Sequence, residues 1–234
     1  MIDKYNMGRE DCIFLAKRNV VDYLWKASHI EGINATFADT QAVFDGAPSD
    51  LNVKGVITIN NLKRAWQFIL DNINYGADWQ MIAELNGILT TSLNNNAGRL
   101  RDFTVGIGGT SWIPDLPDLY KIKTDITNIY NISCETERCI KLMLYMMRSQ
   151  PFADGNKRTA MMTANHEMIR YGRGIIVIDA TNKATKKIFT DLLLDYYETG
   201  DDCELVDFIY NNCIQGFERQ SLKNTNINFK FGAD

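Results

Sequence analysis

Apolar residues recur at intervals of three and four along most of this chain, and no proline interrupts those stretches. This spacing is typical of helices that bury one face. All four prolines (Pro48, Pro114, Pro117 and Pro151) fall between the periodic segments. A helical protein has to keep them there, because proline lacks the backbone N–H that a helix interior needs. The sequence therefore predicts a mainly α-helical fold.

The periodic segments give the expected helices. They cover residues 12–28, 36–44, 58–75, 79–93, 119–131, 135–149, 155–172, 184–197 and 202–214. Thr36 is expected to cap the second of these, with Asp39 completing a capping box. Residues 174–179, GIIVID, are β-branched and too short for a helix, which favours a strand.

Length and composition indicate one domain. The chain has 234 residues, of which 45% are hydrophobic, enough to bury a single sizeable core. We assign residues 1–216 to this domain and expect residues 217–234 to form a polar C-terminal tail.

Charge and cysteine usage exclude several classes of function. A formal charge of −4 argues against nucleic-acid binding, which needs a basic excess. The five cysteines are widely spread without a C-x-x-C pair, which favours reduced thiols over disulfides or a zinc site. Neither a signal peptide nor a long apolar run is present, so we expect a cytoplasmic protein without membrane segments.

The apolar spacing typical of helices is interrupted in residues 94–118. Glycines, two prolines and an alternation through Phe103, Val105 and Ile107 interrupt the helical pattern. Glycine permits positive φ, and alternation suits a half-buried strand. We expect a short β-hairpin followed by an extended segment.

The stretch RSQPFADGNKRTAM, residues 148–161, is typical of an anion site at the start of a helix. Pro151 ends one helix, Asp154 and Gly155 form a turn, and Asn156 is expected to cap the next helix. The first amides of that helix then face an anion, and Lys157 and Arg158 add positive charge. Asp154 either balances this charge or binds the magnesium ion of a nucleotide. An ordinary helix start remains the alternative.

This stretch resembles the Fic/Doc family signature H-P-F-x-D-G-N-G-R-x-x-R, and two further segments resemble the same family. Residues 98–113 are similar to the hairpin flap that docks an extended target peptide, here through Val105, Ile107, Gly108 and Gly109. Residues 12–32 are similar to the regulatory helix, whose glutamate corresponds to Glu31. The resemblance implies a Fic/Doc-like helical bundle with a small β-hairpin flap.

The resemblance also implies an activity. Active members transfer part of a nucleotide, most often AMP from ATP, to a hydroxyl of a target protein. The residues implied to bind the nucleotide are Phe152, Gly155, Asn156, Lys157 and Arg158. Asp154 is implied to hold Mg²⁺ and, with Arg158 and Gln150, to occupy the catalytic positions. Glu31 is implied to inhibit, and a homodimer is compatible with the resemblance.

Three departures from the signature weaken that activity. Gln150 stands where the family has the histidine that accepts the hydroxyl proton, and a neutral amide cannot take its place. Loss of a general base lowers the rate about a hundredfold to ten-thousandfold. Lys157 and Met161 resemble the Doc branch, which transfers phosphate. Met161 also replaces the arginine that pairs with the inhibitory glutamate, leaving Lys157 or Arg158 as partners of Glu31.

Few substitutes for the missing base exist, because the chain has only two histidines. His166 lies about 12 Å beyond Arg158 along the same predicted helix, so a structural role is expected. His29 lies near Glu31 and is a weaker candidate for the base.

Three hypotheses about function follow from the sequence: a diverged nucleotidyl- or phosphotransferase, a non-catalytic nucleotide- or peptide-binding module, and a toxin–antitoxin component.

Overall fold

The computed structural model describes residues 1–218, so residues 219–234 of the predicted tail lie outside the described part. Within it the chain forms ten helices and two short strands. They are α1 (Arg9–Arg18), α2 (Val20–Ile30), α3 (Phe37–Asp45), α4 (Val53–Asp71), α5 (Trp79–Thr90), α6 (Leu119–Tyr130), α7 (Glu135–Ser149), α8 (Asn156–Tyr171), β1 (Ile175–Ile176), α9 (Lys183–Thr199), α10 (Cys203–Asn212) and β2 (Ile214–Gln215). The mainly helical prediction is confirmed.

Helix α8 lies at the centre of the fold. Thirteen of its 16 residues are buried, and it packs against α7, α5, α4 and α1. A helix buried on all sides must satisfy its polar side chains internally. Asn165 does so by donating to the Ile176 carbonyl (2.9 Å) and accepting from the Ile176 amide (2.7 Å). This contact fixes β1 against the core helix.

The methionines around α8 are core residues. Met143, Met146 and Met147 of α7 and Met161 and Met162 of α8 are all nearly or fully buried. Flexible thioether side chains fill the irregular space between two packed helices.

Two boundaries in the N-terminal half are informative. The single helix predicted for residues 12–28 is divided at Asn19, where ψ of 13° departs from α-helical geometry. The segment predicted to be a regulatory helix is therefore the pair α1 and α2, and Glu31 follows α2 as its C-cap residue. The capping box of Thr36 and Asp39 at α3 is confirmed.

The β-structure differs in place from the prediction. The two-stranded antiparallel sheet pairs β1 with β2, so the strand predicted at residues 174–179 is reduced to two residues. Residues 98–113, which we call the flap, contain no strand pair, and the predicted β-hairpin is wrong. An isolated bridge joins Leu100 to Phe152 instead. None of the helices in residues 1–218 is long and apolar enough to cross a membrane.

A buried charged cluster joins α8 to the turn before α5. Glu167 is 1% exposed, and its Oε1 accepts from the Ala77 amide (2.9 Å) and lies 3.1 Å from His166 Nδ1. Arg170 donates to Glu167 Oε2 (3.3 Å), and His166 Nε2 lies 3.2 Å from the Asn72 carbonyl. Both partners of the His166 ring are acceptors, and the ring is fully buried. His166 is therefore structural, as expected.

We predict that Glu167→Ala lowers the free energy of unfolding by about 3–5 kcal/mol, because it leaves buried donors and a positive charge without their acceptor. Urea unfolding at pH 7 measures this loss. The control is Glu84→Ala, on the exposed side of α5, which should change stability by less than about 0.5 kcal/mol. Equal stability of the two variants would contradict the assignment.

The contribution of Glu167 should also depend on pH. Burial raises the pKa of its carboxyl, but His166, the Ala77 amide and Arg170 together bring it below the ordinary value of 4.5. Because the pKa of this carboxyl is lower in the folded than in the unfolded state, the ionised carboxylate stabilises the protein above pH 4.5, and protonation removes this stabilisation at lower pH. The difference in unfolding free energy between wild type and Glu167→Ala should therefore narrow as the pH falls below 4.5.

Candidate functional site

The candidate site is built around the segment between α7 and α8, residues 150–155, which we call the motif loop. Helix α7 ends at Gln150, whose φ of 46° and ψ of 57° are left-handed. Helix α8 follows Gly155, whose φ is 76°. A Cβ at Gly155 would lie 2.6 Å from Thr90 Cγ2, so both conformation and space require glycine.

Asn156 holds the loop and does not cap α8, contrary to the prediction. Its Oδ1 accepts from the Phe152 amide (2.9 Å), and its Nδ2 donates to the Phe152 carbonyl (2.8 Å) and to Gln150 Oε1 (2.9 Å). The residue before the helix is Gly155, which has no side chain to offer. Asn156, in the first turn of α8, therefore binds residues of the loop that precedes it. The sequence alone does not distinguish this role from capping of the helix.

The N-terminus of α8 consequently keeps its first amides free. No side chain in residues 1–218 caps this helix. Uncapped amides and the positive end of the helix dipole together favour an anion. Helix α8 is 16 residues long and buried along its length, so its N-terminus is held rigidly. Helices α1, α2, α7 and α10 also lack a side-chain cap from residues 1–218, but of these five N-termini only that of α8 adjoins the motif loop.

Two buried residues that the sequence analysis did not identify hold the motif loop in place. Asn86 of α5 donates to the Asp154 carbonyl (2.9 Å) and Thr159 Oγ1 (3.0 Å), and accepts from the Gly98 amide (3.0 Å). It thereby joins α5, the motif loop, α8 and the start of the flap. Asn86 sits on the buried stripe of a helix, and an Asn at such a position is the one sequence signal that could have pointed to it.

Arg101 is the second of these residues, and it is 2% exposed. Its Nε donates to the Gln150 carbonyl (2.7 Å), Nη1 to the Phe103 carbonyl (2.8 Å), and Nη2 to the carbonyls of Pro114 and Asp115. Its own amide donates to the Pro151 carbonyl (3.0 Å). One guanidinium therefore binds backbone carbonyls of the flap, of the segment that follows the flap, and of the motif loop. These bonds hold the flap, in which no strand pair is present.

Arg158 is buried and already has three partners. Its Nη1 donates to the Leu89 carbonyl (3.0 Å) and its Nη2 to Asp154 Oδ1 (3.2 Å). Its Nε lies 3.0 Å from Glu31 Oε2, but the N–H is not aligned for a hydrogen bond, so this contact is an ion pair. Of the two partners considered for Glu31, the structure places Arg158 beside it. The guanidinium is thus held by carboxylates in the position where a phosphate was expected.

Gln150 is also engaged on both sides of its amide. Nε2 donates to the Met147 carbonyl (2.5 Å), and Oε1 accepts from Asn156 (2.9 Å). One N–H of the amide remains for another partner. The side chain can donate to a ligand oxygen, but it has no basic lone pair with which to remove a proton.

Phe152 is not placed to bind a nucleotide with its ring, contrary to what the resemblance implies. It is fully buried, and its ring stacks on Trp79 at 5.3 Å between centroids with 10° between planes. A nucleotide cannot reach this ring. The residue anchors the motif loop to α5, and aromatic stacking of this kind contributes about 0.5–1.5 kcal/mol beyond burial.

A cleft of about 290 Å³ opens beside the motif loop. Gln150 and Lys157 line it from the motif, and Gly106, Ile107 and Gly108 line it from the flap. Ile30 at the end of α2 and several residues of α9 complete the wall. The other predicted site residues, including Val105, do not line the cleft. Gly109 packs beside Leu194, and Glu31, Asp154 and Arg158 form the cluster described above.

The far end of the flap is fixed to α9. Glu198 accepts from the hydroxyls of Thr110 (2.6 Å) and Ser111 (2.8 Å). The hydrogen bond from Thr110 is the main cause of the lowered pKa of Glu198. Trp112 packs on the Arg148 guanidinium, which lies 3.8 Å from the ring centroid. This contact holds Trp112 against the C-terminal part of α7.

His29 is not placed as a base. Its Nδ1 lies 3.0 Å from the Trp25 carbonyl and donates to it, which leaves Nε2 as the nitrogen that could accept a proton, so the position of the ring decides the question. The ring meets the Trp25 ring edge-on and does not line the cleft.

Asp154 fits a magnesium ion that is bound through one protein carboxylate and phosphate oxygens. Its side chain is 43% exposed. Oδ1 accepts from the Gly155 amide and from Arg158, while Oδ2 has no partner in the described part of the chain. Among residues 1–218, Asp201, Asp202 and Cys203 form a separate cluster of metal-ligand type at the start of α10, which does not include Asp154.

Comparison with known proteins gives a fold. No protein-family model and no curated protein sequence matches the chain. Its structure is similar to residues 134–508 of Fic-1 from C. elegans (TM-score 0.73, 18% identity, 85% of this chain and 62% of that one). It is similar to a Fic-domain signaling protein from Bacteroides thetaiotaomicron (TM-score 0.70, 18% identity, 88% and 86%). A Fic family protein from Desulfovibrio desulfuricans is also similar (TM-score 0.70, 16% identity, 84% and 62%).

The chain spans less than two thirds of the C. elegans and Desulfovibrio chains, and identities of 16–18% are too low to transfer an activity. The similarity nevertheless extends over more than four fifths of the chain in each comparison. This chain has the Fic fold.

Proposed function

We propose that the chain binds a purine nucleotide, ATP in the first instance, and transfers AMP or phosphate from it to a hydroxyl of a target protein. The observation that carries this proposal is the uncapped N-terminus of α8, which lies beside a cleft shared by the motif loop and the flap. A nucleotide phosphate suits free amides at a helix N-terminus. The nucleotide would enter the cleft, and the target would lie along the flap.

Residues of the motif loop and of the first turn of α8 have different roles in the proposed transfer. The amides of Asn156, Lys157 and Arg158 hold the phosphate that is transferred and stabilise its developing charge. Asp154 would hold Mg²⁺, which when bound neutralises charge on the phosphates. Gln150 donates a hydrogen bond from its remaining amide N–H and orients the hydroxyl.

The transfer itself forms one bond and breaks another. The target oxygen attacks phosphorus as the bond to the leaving phosphate breaks, releasing pyrophosphate after AMP transfer or ADP after phosphate transfer. The hydroxyl proton passes to water, because Gln150 cannot accept it. We therefore expect slow transfer, lower by about a hundredfold to ten-thousandfold than with a base at position 150.

A second candidate function is a nucleotide-binding module without catalysis. The hydrogen bonds of Gln150 to Met147 and Asn156 favour it, because they give the side chain a structural use that needs no chemistry. Incubation with ATP labelled at the α- or γ-phosphate and a cell lysate separates the candidates. Transfer of either label supports the enzyme, whereas ATP binding without labelling supports the module.

We predict that Gln150→His raises label transfer by about a hundredfold or more, because it supplies the base that an alcohol nucleophile requires. The measurement is the rate of protein labelling with α- and γ-labelled ATP. Gln67→His, which places a histidine on the exposed side of α4, is the control and should leave the rate unchanged. Equal rates for the two variants would contradict the catalytic proposal.

We predict that Glu31→Gln raises affinity for ATP about tenfold, equivalent to about 1.4 kcal/mol. The change removes a negative charge from the phosphate region and releases Arg158 Nε from its ion pair. Calorimetric titration with ATP and Mg²⁺ measures it. Glu84→Gln is the matched control, since Glu84 is exposed on α5. An affinity no higher than that of the control would show that Glu31 does not restrain the site.

A further inference from the structure

Lys186 of α9 differs from the lysines near it. The sequence suggests that Lys183, Lys186 and Lys187 form one solvated helix face. In the structure Lys183 is exposed at the start of α9, and exposed Lys187 pairs with Asp191 at 2.5 Å. Lys186 is half-buried and lines the cleft beside the motif loop. The expectation of a common solvated face is therefore wrong for Lys186.

The cleft that Lys186 lines carries positive charge only. Its lining contains Lys157 and Lys186 and no acidic side chain. Lys157 forms no ion pair with any residue in the described range 1–218. In a chain with a net charge of −4, two lysines in one cleft without a carboxylate favour an anionic ligand.

The side chain of Lys186 is already positioned. Its Nζ donates to the His29 carbonyl (2.8 Å) in the last turn of α2, where backbone carbonyls carry partial negative charge. An ammonium group has three donors, so this bond leaves two for a ligand. Because the long side chain is held before binding, less conformational entropy is lost when a ligand arrives.

We propose that Lys186 is a further phosphate-binding residue, which contacts a second phosphate group of the nucleotide from the α9 side of the cleft. The inference rests on the proposed function, in which another phosphate of the same nucleotide lies at the N-terminus of α8. Phe189, Leu193 and Leu194 make the α9 wall of the cleft mostly apolar, and its Thr190 and Tyr197 carry hydroxyl groups but no charge, so Lys186 is the cation of this wall. The ligand class is an inorganic or nucleoside polyphosphate.

The test compares polyphosphate affinity among lysine variants of the full chain. Calorimetry with inorganic tripolyphosphate, ATP and adenosine would be applied to wild type, Lys186→Met, Lys186→Arg and Lys183→Met. Lys186→Met should weaken tripolyphosphate and ATP binding about tenfold and leave adenosine unchanged, because it removes one charge-assisted contact to phosphate. Lys186→Arg should restore most of the affinity, and the exposed control Lys183→Met should match wild type. Circular dichroism checks that each variant is folded.

The outcomes separate this inference from the proposed function. Wild-type affinity for tripolyphosphate in folded Lys186→Met would overturn the role of Lys186, and ATP binding in the same protein would leave the proposed function intact. Equal losses in Lys186→Met and Lys183→Met would also overturn it, since a general change of charge would then account for both. Binding of neither ATP nor tripolyphosphate to wild type would overturn both proposals.

Discussion

The site depends on buried side chains that satisfy the backbone of the motif loop and leave the N-terminus of α8 open. Asn86, Arg101 and Asn156 bond to carbonyls or amides of residues 150–154. Buried backbone groups need such partners, and a loop without them would be costly to keep. Because buried side chains bind the backbone of the loop, the loop does not need a residue that caps α8. Gly155 can therefore precede the helix, and the first amides of α8 remain available.

The electrostatics of the cluster follow from the same arrangement. Arg158 cannot reach bulk water, and its charge is balanced by Asp154 and by Glu31. The ion pair with Glu31 joins the end of α2 to the motif, although the second arginine of the Fic/Doc signature is replaced by buried Met161. Lys186 makes a second connection to the same turn through the His29 carbonyl. The end of α2 is thus held by two cations that border the cleft.

The helices could be predicted from sequence because their apolar spacing is regular and their prolines lie outside it. The turn at Asp154 and Gly155 could be predicted because only glycine suits it. The roles of Asn156 and Phe152 could not be predicted. The Asn156 side chain binds the loop that precedes it, and the Phe152 ring stacks on Trp79 in the core. Arg101 could not be found at all, because its partners are carbonyls from distant segments.

The central claim is that free amides at the start of α8 bind a nucleotide phosphate. Titration of the isotopically labelled protein with ATP and Mg²⁺, followed through backbone amide chemical shifts, tests it most directly. The account predicts the largest shifts at Asn156, Lys157 and Arg158, saturating together with a single dissociation constant. Saturating ATP without shifts at these three amides, or with shifts confined to another surface, would contradict it.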